Sequence, residues 1–388
     1  MATSRLLESP QFKTCRSPLK NAQPASAYIL SIVSLLGHYA ASESAPSNQI
    51  GILDKSTLRR IGNLSGHEVA TTSLKAVDNI IGIAGRTLMS SGKDGSVKIW
   101  DPRSNSHSIK MTNLGASRSL LCCDVSPDGL TVAAGTDMQG EDALIFYWDP
   151  RQPAAPLRTH GSTHSDDITT VSFAPQESGM PRNTLLSAST DGLICTSNAD
   201  QADEDEAVLF VGNWGASVSQ AGWNDASSGP KIWAASDMET FSTWTHELDL
   251  CQSLDIRSPV LHGKHTWVTD YLITCASNPN TPGSLGVFVG SNEGDVALLS
   301  NADLSVSDAT WCLHNVWSAG HVGVVRSLLW DHESNVLVTG GEDAKINVWP
   351  TLSPEHQLDE ESMDVDSTTS RKRSRDRDEE QEGKRARR

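Results

Sequence analysis

Histidine and aspartate occur close together in this sequence, and such pairs are the first residues to test for catalysis. His164 is followed by Asp166, and His262 lies three residues before His265. A histidine beside an aspartate acts as a general base when a nucleophile is positioned against it. No nucleophile motif accompanies His164, and no companion ligand stands at a recognisable spacing from the His262–His265 pair. We therefore predict no catalytic site, no metal site and no cofactor.

Other signatures of enzymes and ion sites are also missing. The sequence contains neither a GxxxxGK[ST] phosphate loop nor an HExxH motif. The acid-rich segment Asp200–Glu206 lacks the glycine and the alternating ligands of a calcium loop. We expect a protein that is not an enzyme and has no small-molecule substrate.

Charge and cysteine content restrict the partners and the compartment. The 388 residues include 31 basic and 48 acidic residues, and the net charge is -17. An acidic surface repels a phosphate backbone, so we do not expect nucleic-acid binding. Seven cysteines without a CxxC motif indicate a reducing compartment. The apolar run Tyr28–Leu36 is too short to span a membrane, so we expect a soluble intracellular protein.

The stretch Gly320–Pro350 sets the pattern that the rest of the chain repeats. It contains three short apolar segments, Val322–Trp330, Val336–Thr339 and Lys345–Trp349, which are separated by turn residues. Short apolar runs with turns between them predict an antiparallel meander and not a βαβ unit.

Segments that resemble the third strand of this meander recur along the chain. Their aligned positions are Leu53, Trp100, Trp148, Ser197, Trp244, Leu299 and Trp349. The spacings are 47, 48, 49, 47, 55 and 50 residues. Seven near-equal repeats predict one closed ring of seven similar units.

A Gly-His opening and a closing Trp, repeated every 40–45 residues or so, resemble the WD-repeat family. The resemblance is carried by Gly135–Arg151, Thr163–Pro175 and Gly320–Pro350. It implies an all-β fold, namely a seven-bladed WD-repeat β-propeller. It also implies that the protein acts as a scaffold for protein–protein interactions.

The resemblance also implies a structural role for the histidines. In WD blades a His, a Ser or Thr, an Asp and a Trp form a buried hydrogen-bond chain, which we call the tetrad. Its members here are His67, Ser90, Asp94 and Trp100 in the second blade, and His321, Thr339, Asp343 and Trp349 in the seventh. A satisfied polar network fixes one arrangement of a small blade.

Three regions are predicted along the chain. Residues 1–27 supply the strand that closes the ring, and we assign it to Gln11–Arg16, paired with the seventh blade. Residues 28–350 form the propeller, and 351–388 form a disordered charged tail. Its basic residues resemble a two-part nuclear localisation signal: Arg371, Lys372, Arg373, Lys384, Arg385, Arg387 and Arg388. We expect the nucleus as the compartment, with the cytoplasm as a second one.

Two groups of residues are candidates for partner binding. The first is a rim on one face that would attract basic peptides: Glu141, Asp142, His164, Asp166 and Asp167. The alternative is that these side chains only solvate the loops. The second group is Arg103 and Arg151, the ends of two Trp-Asp-Pro-Arg sequences on the opposite face. In WD-repeat substrate receptors of cullin-4 ubiquitin ligases, this Arg contacts the ligase adaptor, so the resemblance implies a possible adaptor partner.

Overall fold

The computed structural model describes residues 5–23, 27–101, 106–113, 115, 117–176, 179–224, 231–261, 265–277, 285–301, 303–306 and 309–351. The described chain is almost entirely β-strand, arranged as seven blades of antiparallel strands. The predicted tail after Thr351 lies outside the described residues, and so do all seven residues of the predicted nuclear localisation signal.

The strands are numbered along the chain, and the first half of the ring contains three blades. Before the first blade come β1 (Arg5–Cys15) and β2 (Lys20–Ala22). Blade 1 consists of β3 (Ile29–Leu35), β4 (His38–Glu43), β5 (Ile50–Asp54) and β6 (Arg60–Leu64). Blade 2 consists of β7 (Thr71–Val77), β8 (Thr87–Gly92), β9 (Ser96–Asp101) and β10 (Ser106–Thr112). Blade 3 consists of β11 (Leu120–Val125), β12 (Val132–Thr136), β13 (Ile145–Trp148) and β14 (Arg158–His160).

Four blades follow, with one short helix. Blade 4 consists of β15 (Ile168–Phe173), β16 (Thr184–Ser189), β17 (Leu193–Asn198), α1 (Glu204–Ala207) and β18 (Val208–Asn213). Blade 5 consists of β19 (Val218–Trp223), β20 (Ile232–Ser236), β21 (Thr240–Trp244) and β22 (Leu250–Asp255). After β23 (Val260–Leu261), blade 6 consists of β24 (Tyr271–Ser277), β25 (Leu285–Gly290), β26 (Val296–Asn301) and β27 (Trp311–Trp317). Blade 7 has β28 (Val325–Asp331), β29 (Val336–Gly341) and β30 (Ile346–Pro350).

The predicted blade count is confirmed. All seven segments predicted to be third strands are third strands, namely β5, β9, β13, β17, β21, β26 and β30. Apolar residues in these strands either alternate with polar ones or follow one another, because each strand lies between two strands of its own sheet and packs against the next blade.

Each hydrophobic cluster of the described residues lies between two neighbouring blades. One of them joins the ends of the ring, because Ile29 and Tyr39 of blade 1 pack with Val338 and Ile346 of blade 7. Another joins blades 1 and 2 around Trp100. A blade that lacks a tetrad is therefore still held by apolar contacts with its neighbours.

The predicted position of the closing strand is wrong. Gln11–Arg16 was expected to pair with blade 7, but Lys13–Cys15 pairs in parallel with Asn315–Trp317 of β27 in blade 6. The fourth strand of blade 7 is β2, which pairs antiparallel with Ile346–Val348. The reason is apolar burial: Leu6 of β1 is fully buried in the cluster around Trp311, and Phe12 packs against that cluster.

Antiparallel order places two kinds of loop at the same end of every blade. The loop that enters a blade lies beside the turn between its second and third strands, as the contact of His67 with Asp94 demonstrates. We call this end the tetrad face, and the other end the opposite face. Within the described residues, no helix is long and apolar enough to cross a membrane.

Candidate functional site

The blade 2 tetrad forms one continuous hydrogen-bond chain. Trp100 Nε1 donates to Ser90 Oγ at 2.8 Å, and Ser90 Oγ lies 2.7 Å from His67 Nε2. The chain ends where His67 Nδ1 meets Asp94 Oδ1 at 2.8 Å. A carboxylate only accepts, so Nδ1 donates to Asp94. His67 and Ser90 are buried, so this chain is a polar network inside the blade.

Blade 7 repeats this chain with a threonine in place of the serine. Trp349 Nε1 donates to Thr339 Oγ1 at 2.9 Å, Thr339 Oγ1 lies 2.7 Å from His321 Nε2, and His321 Nδ1 lies 3.0 Å from Asp343 Oδ1. Burial lowers the pKa of His321, so the ring is neutral. Burial opposes ionisation of Asp343, but the hydrogen bonds from His321, Val322 N and Lys345 N, together with the charge interaction with His321, hold the pKa of that carboxyl below its ordinary value.

Blade 4 contains the same chain without its tryptophan, and this corrects the assignment of His164 to an exposed rim. His164 is only 3% exposed. Its Nε2 lies 2.9 Å from Ser187 Oγ, and its Nδ1 lies 3.3 Å from Asp191 Oδ2. His164 is therefore a buried structural residue that no partner can reach.

Sequence reasoning missed a fifth member of the tetrads. Lys98, two residues before Trp100, is buried, and its Nζ donates to Gly66 O at 2.9 Å and lies 3.2 Å from Asp94 Oδ2. Asn347, two residues before Trp349, donates from Nδ2 to Gly320 O at 2.9 Å. The shared offset from the Trp is a signal that the sequence does carry.

The glycine of the Gly-His opening is needed for close packing. A Cβ on Gly320 would lie 2.3 Å from Trp349 Cζ2. A Cβ on Gly66, whose φ is +67°, would lie 2.1 Å from Asn48 O. Gly320 lets its loop approach its own blade, and Gly66 lets its loop approach the hairpin of blade 1; each places the following histidine within reach of its partners.

The rest of the predicted rim separates into exposed and engaged acids. Glu141 and Asp142 are exposed at the tip of the hairpin between β12 and β13. Asp166 and Asp167 are half-buried, and Asp167 Oδ1 accepts from Met138 N at 2.8 Å. Asp167 therefore holds the blade 3 hairpin against blade 4, and of the four described rim acids only Glu141 and Asp142 are exposed.

An acidic segment of blade 4 is anchored beside this rim. Three consecutive N–H groups, those of Gly161, Ser162 and Thr163, donate to the carboxylate of Glu204 at 2.8, 2.9 and 2.8 Å. Thr163 Oγ1 donates to it as well, at 2.5 Å. Burial opposes ionisation of Glu204, but these bonds lower its pKa. The segment Asp203–Glu206 is thus held against the loop that carries His164.

On the opposite face, Arg151 forms an ion pair with Asp149 of its own Trp-Asp-Pro-Arg sequence. Its Nε donates to Asp149 Oδ1 at 2.9 Å, and its Nη2 donates to Asp149 Oδ2 at 2.6 Å, while the side chain is 60% exposed. Arg103 lies outside the described residues.

Among the described residues, no group of three His, Cys, Asp or Glu side chains converges as a metal site would require. His265 is exposed, and its Nδ1 lies 3.0 Å from Glu8 Oε1 of β1. His262 lies outside the described residues.

Comparison with known proteins agrees with this architecture. The family described as WD domain, G-beta repeat matches residues 58–101 and 310–350, and these two ranges include both complete tetrads. An uncharacterized WD repeat-containing protein of Saccharomyces cerevisiae is 31% identical over 307 residues, covering 78% of this chain and 74% of that protein. The chain belongs to the WD-repeat family. Propellers of this family generally bind other proteins and are typically not enzymes.

Two further comparisons agree with this family. The WD repeat-containing protein 89 homolog of Dictyostelium discoideum is 29% identical over 310 residues, which cover 77% of each chain. A chain of the crystal structure of the Mitotic Checkpoint Complex has a TM-score of 0.64 at 14% identity, covering 88% of this chain and 93% of that one. The second likeness is one of fold alone.

Proposed function

We propose that this WD-repeat protein is a non-enzymatic scaffold that docks basic segments of partner proteins on its tetrad face. The observation that carries the proposal is the hairpin tip of blade 3, where Glu141 and Asp142 are exposed. Exposed carboxylates favour a partner with lysine and arginine, and they accelerate its approach.

The charge of the chain supports the same partner. Of its 31 basic and 48 acidic residues, 9 and 11 lie after Pro350, so the rest keeps an excess of 15 acidic residues. Several basic groups of the tetrad face already have partners. Arg326 Nη2 lies 2.5 Å from Glu342 Oε1, and Arg257 Nη2 lies 2.7 Å from Asp255 Oδ2. The face therefore remains acidic toward a partner.

The test is a comparison of the partners that copurify with the protein from its own cells. A Glu141→Gln, Asp142→Asn variant should lose partners that carry basic segments. The matched control is Asp78→Asn, Glu333→Gln, which removes two exposed carboxylates from the opposite face and should keep those partners. The proposal fails if the hairpin variant retains the same partners in the same yield as the wild type.

A ligase-adaptor role is the alternative, and the exposure of Arg151 favours it. The arginine would have to leave Asp149, or bind the adaptor as a pair with it. An Arg103→Ala, Arg151→Ala variant that loses a cullin-4 adaptor present with the wild type would support this role. If no adaptor accompanies the wild type, the alternative is excluded.

We also propose that the scaffold acts in the nucleus, because its last residues contain two basic clusters. Replacing Arg371, Lys372 and Arg373 by alanine should move a fluorescent fusion toward the cytoplasm. An unchanged distribution would contradict the proposal.

A further inference from the structure

Four neighbouring blades expose an apolar side chain on the tetrad face. Val322, Tyr28 and Val69 lie in the loops that enter blades 7, 1 and 2, and Met138 lies in the hairpin of blade 3. Their exposed fractions are 74%, 48%, 56% and 44%. Single exposed apolar residues are ordinary, and Met238 of blade 5 and Val268 before blade 6 are exposed at this end too. The four named here are the ones that lie on the successive blades leading to the acidic hairpin of blade 3.

Hydrogen bonds between blades keep these loops next to one another. Asn48 Nδ2 of blade 1 donates to Val69 O at 2.6 Å. Thr72 Oγ1 of blade 2 donates to Leu120 O of blade 3 at 2.6 Å. These bonds join blade 1 to blade 2 and blade 2 to blade 3, and we call the four side chains, Val322, Tyr28, Val69 and Met138, the apolar arc.

The apolar arc ends at the acidic hairpin tip. Met138 belongs to the same hairpin as Glu141 and Asp142, three and four residues further along the chain. A partner that covers the arc thus contacts apolar side chains along it, and the carboxylates of Glu141 and Asp142 at the blade 3 end. Apolar contact supplies affinity, whereas the charges select the partner and its direction.

We propose that the apolar arc and the hairpin tip together bind a basic segment that also carries aliphatic side chains, rather than a purely polybasic one. This rests on the proposed function and specifies its partner. Lysine and arginine of the segment face Glu141 and Asp142, and its aliphatic side chains cover Val322, Tyr28 and Val69.

The test uses two synthetic peptides with the same arginines, one spaced by Gly and Ser and the other by Leu and Val. Binding to the full chain is measured by fluorescence anisotropy at several salt concentrations. We expect the Leu/Val peptide to bind about tenfold more tightly, with a difference that persists at high salt. Equal affinity of the two peptides would overturn the inference and leave the proposed function intact. If neither peptide binds, the proposed function fails as well.

Variants then locate the effect. Val322→Ser, Tyr28→Ser, Val69→Ser should abolish the difference between the peptides and leave the affinity for the Gly/Ser peptide unchanged. Leu36→Ser, Ile61→Ser, Leu157→Ser is the matched control, because these exposed apolar side chains lie away from the arc. If the control variant abolishes the difference and the arc variant does not, the arc is not the site. Equal melting temperatures establish that both variants are folded.

Discussion

Lys55 Nζ lies 2.9 Å from Asp331 Oδ2, and this ion pair joins the first blade of the ring to the last. Both groups are largely buried, and Tyr39 Oη donates to the same carboxylate oxygen at 3.1 Å. Burial opposes ionisation of Asp331, but the hydrogen bonds from Lys55 and Ser334, together with the charge of Lys55, lower the pKa of Asp331. The contact is therefore a polar lock at the point where the ring closes.

Removing this carboxylate should destabilise the propeller strongly. Asp331→Ala leaves the Lys55 ammonium without its partner, and we expect a loss of about 3 kcal/mol in the free energy of unfolding. Glu333→Ala is the control, because Glu333 lies two residues away and its ion pair with Arg86 is exposed. That variant should lose less than about 1 kcal/mol. Equal urea midpoints for the two variants would show that the lock contributes nothing.

The strand β1 should stabilise blade 6 through one of two adjacent leucines. Leu6 is fully buried near Trp311, whereas Leu7 is 44% exposed. We expect Leu6→Ala to cost about 3 kcal/mol because it leaves a cavity. Leu7→Ala should cost less than about 0.5 kcal/mol. Thermal unfolding of the two variants measures the difference, and a cost for Leu7→Ala as large as for Leu6→Ala would contradict the observed register.

Removing the hydroxyl that accepts the hydrogen bond of the tetrad tryptophan should show how much that bond contributes to the free energy of unfolding. Ser90→Ala leaves both His67 Nε2 and Trp100 Nε1 without a partner, so we expect a loss of about 2 kcal/mol. Ser187→Ala strands only His164 Nε2, because blade 4 has Ser197 at the Trp position, and should lose about 1 kcal/mol. Urea denaturation decides between them. A larger loss for Ser187→Ala would show that the tryptophan bond is dispensable.

Local spacing predicted the blades and two of the tetrads, because each depends on residues within one repeat. The His164 chain was misassigned although its spacings, 23 and 27 residues, equal those of His67 with Ser90 and Asp94. Blade 4 has His164, Ser187 and Asp191 but lacks the Trp, and its histidine was placed on the rim with the acids of the same loop. The partner of β1 was not predictable in this way, since an added edge strand pairs wherever its apolar residues find a cluster, and Leu6 finds one around Trp311.

Acid should destabilise this propeller through histidines whose pKa is lowered in the folded state. Burial lowers the pKa of His321, and it does the same for four other described histidines, which are His107, His160, His314 and His332. Between these lowered values and about 6.5, the unfolded chain binds more protons than the folded one. The contribution of these histidines to the free energy of unfolding is therefore fully present above about pH 6.5, and it should decrease as the pH drops below that value.

Melting temperatures measured from pH 8 down to pH 5 check this expectation. The wild type should show a plateau at the alkaline end and a decline below about pH 6.5. His321→Gln should have a lower melting temperature at neutral pH, because its bonds to Thr339 and Asp343 are lost. It should also decline less steeply on acidification, because it contains one fewer group with a lowered pKa. A variant that declines as steeply as the wild type would show that His321 does not contribute to the acid sensitivity.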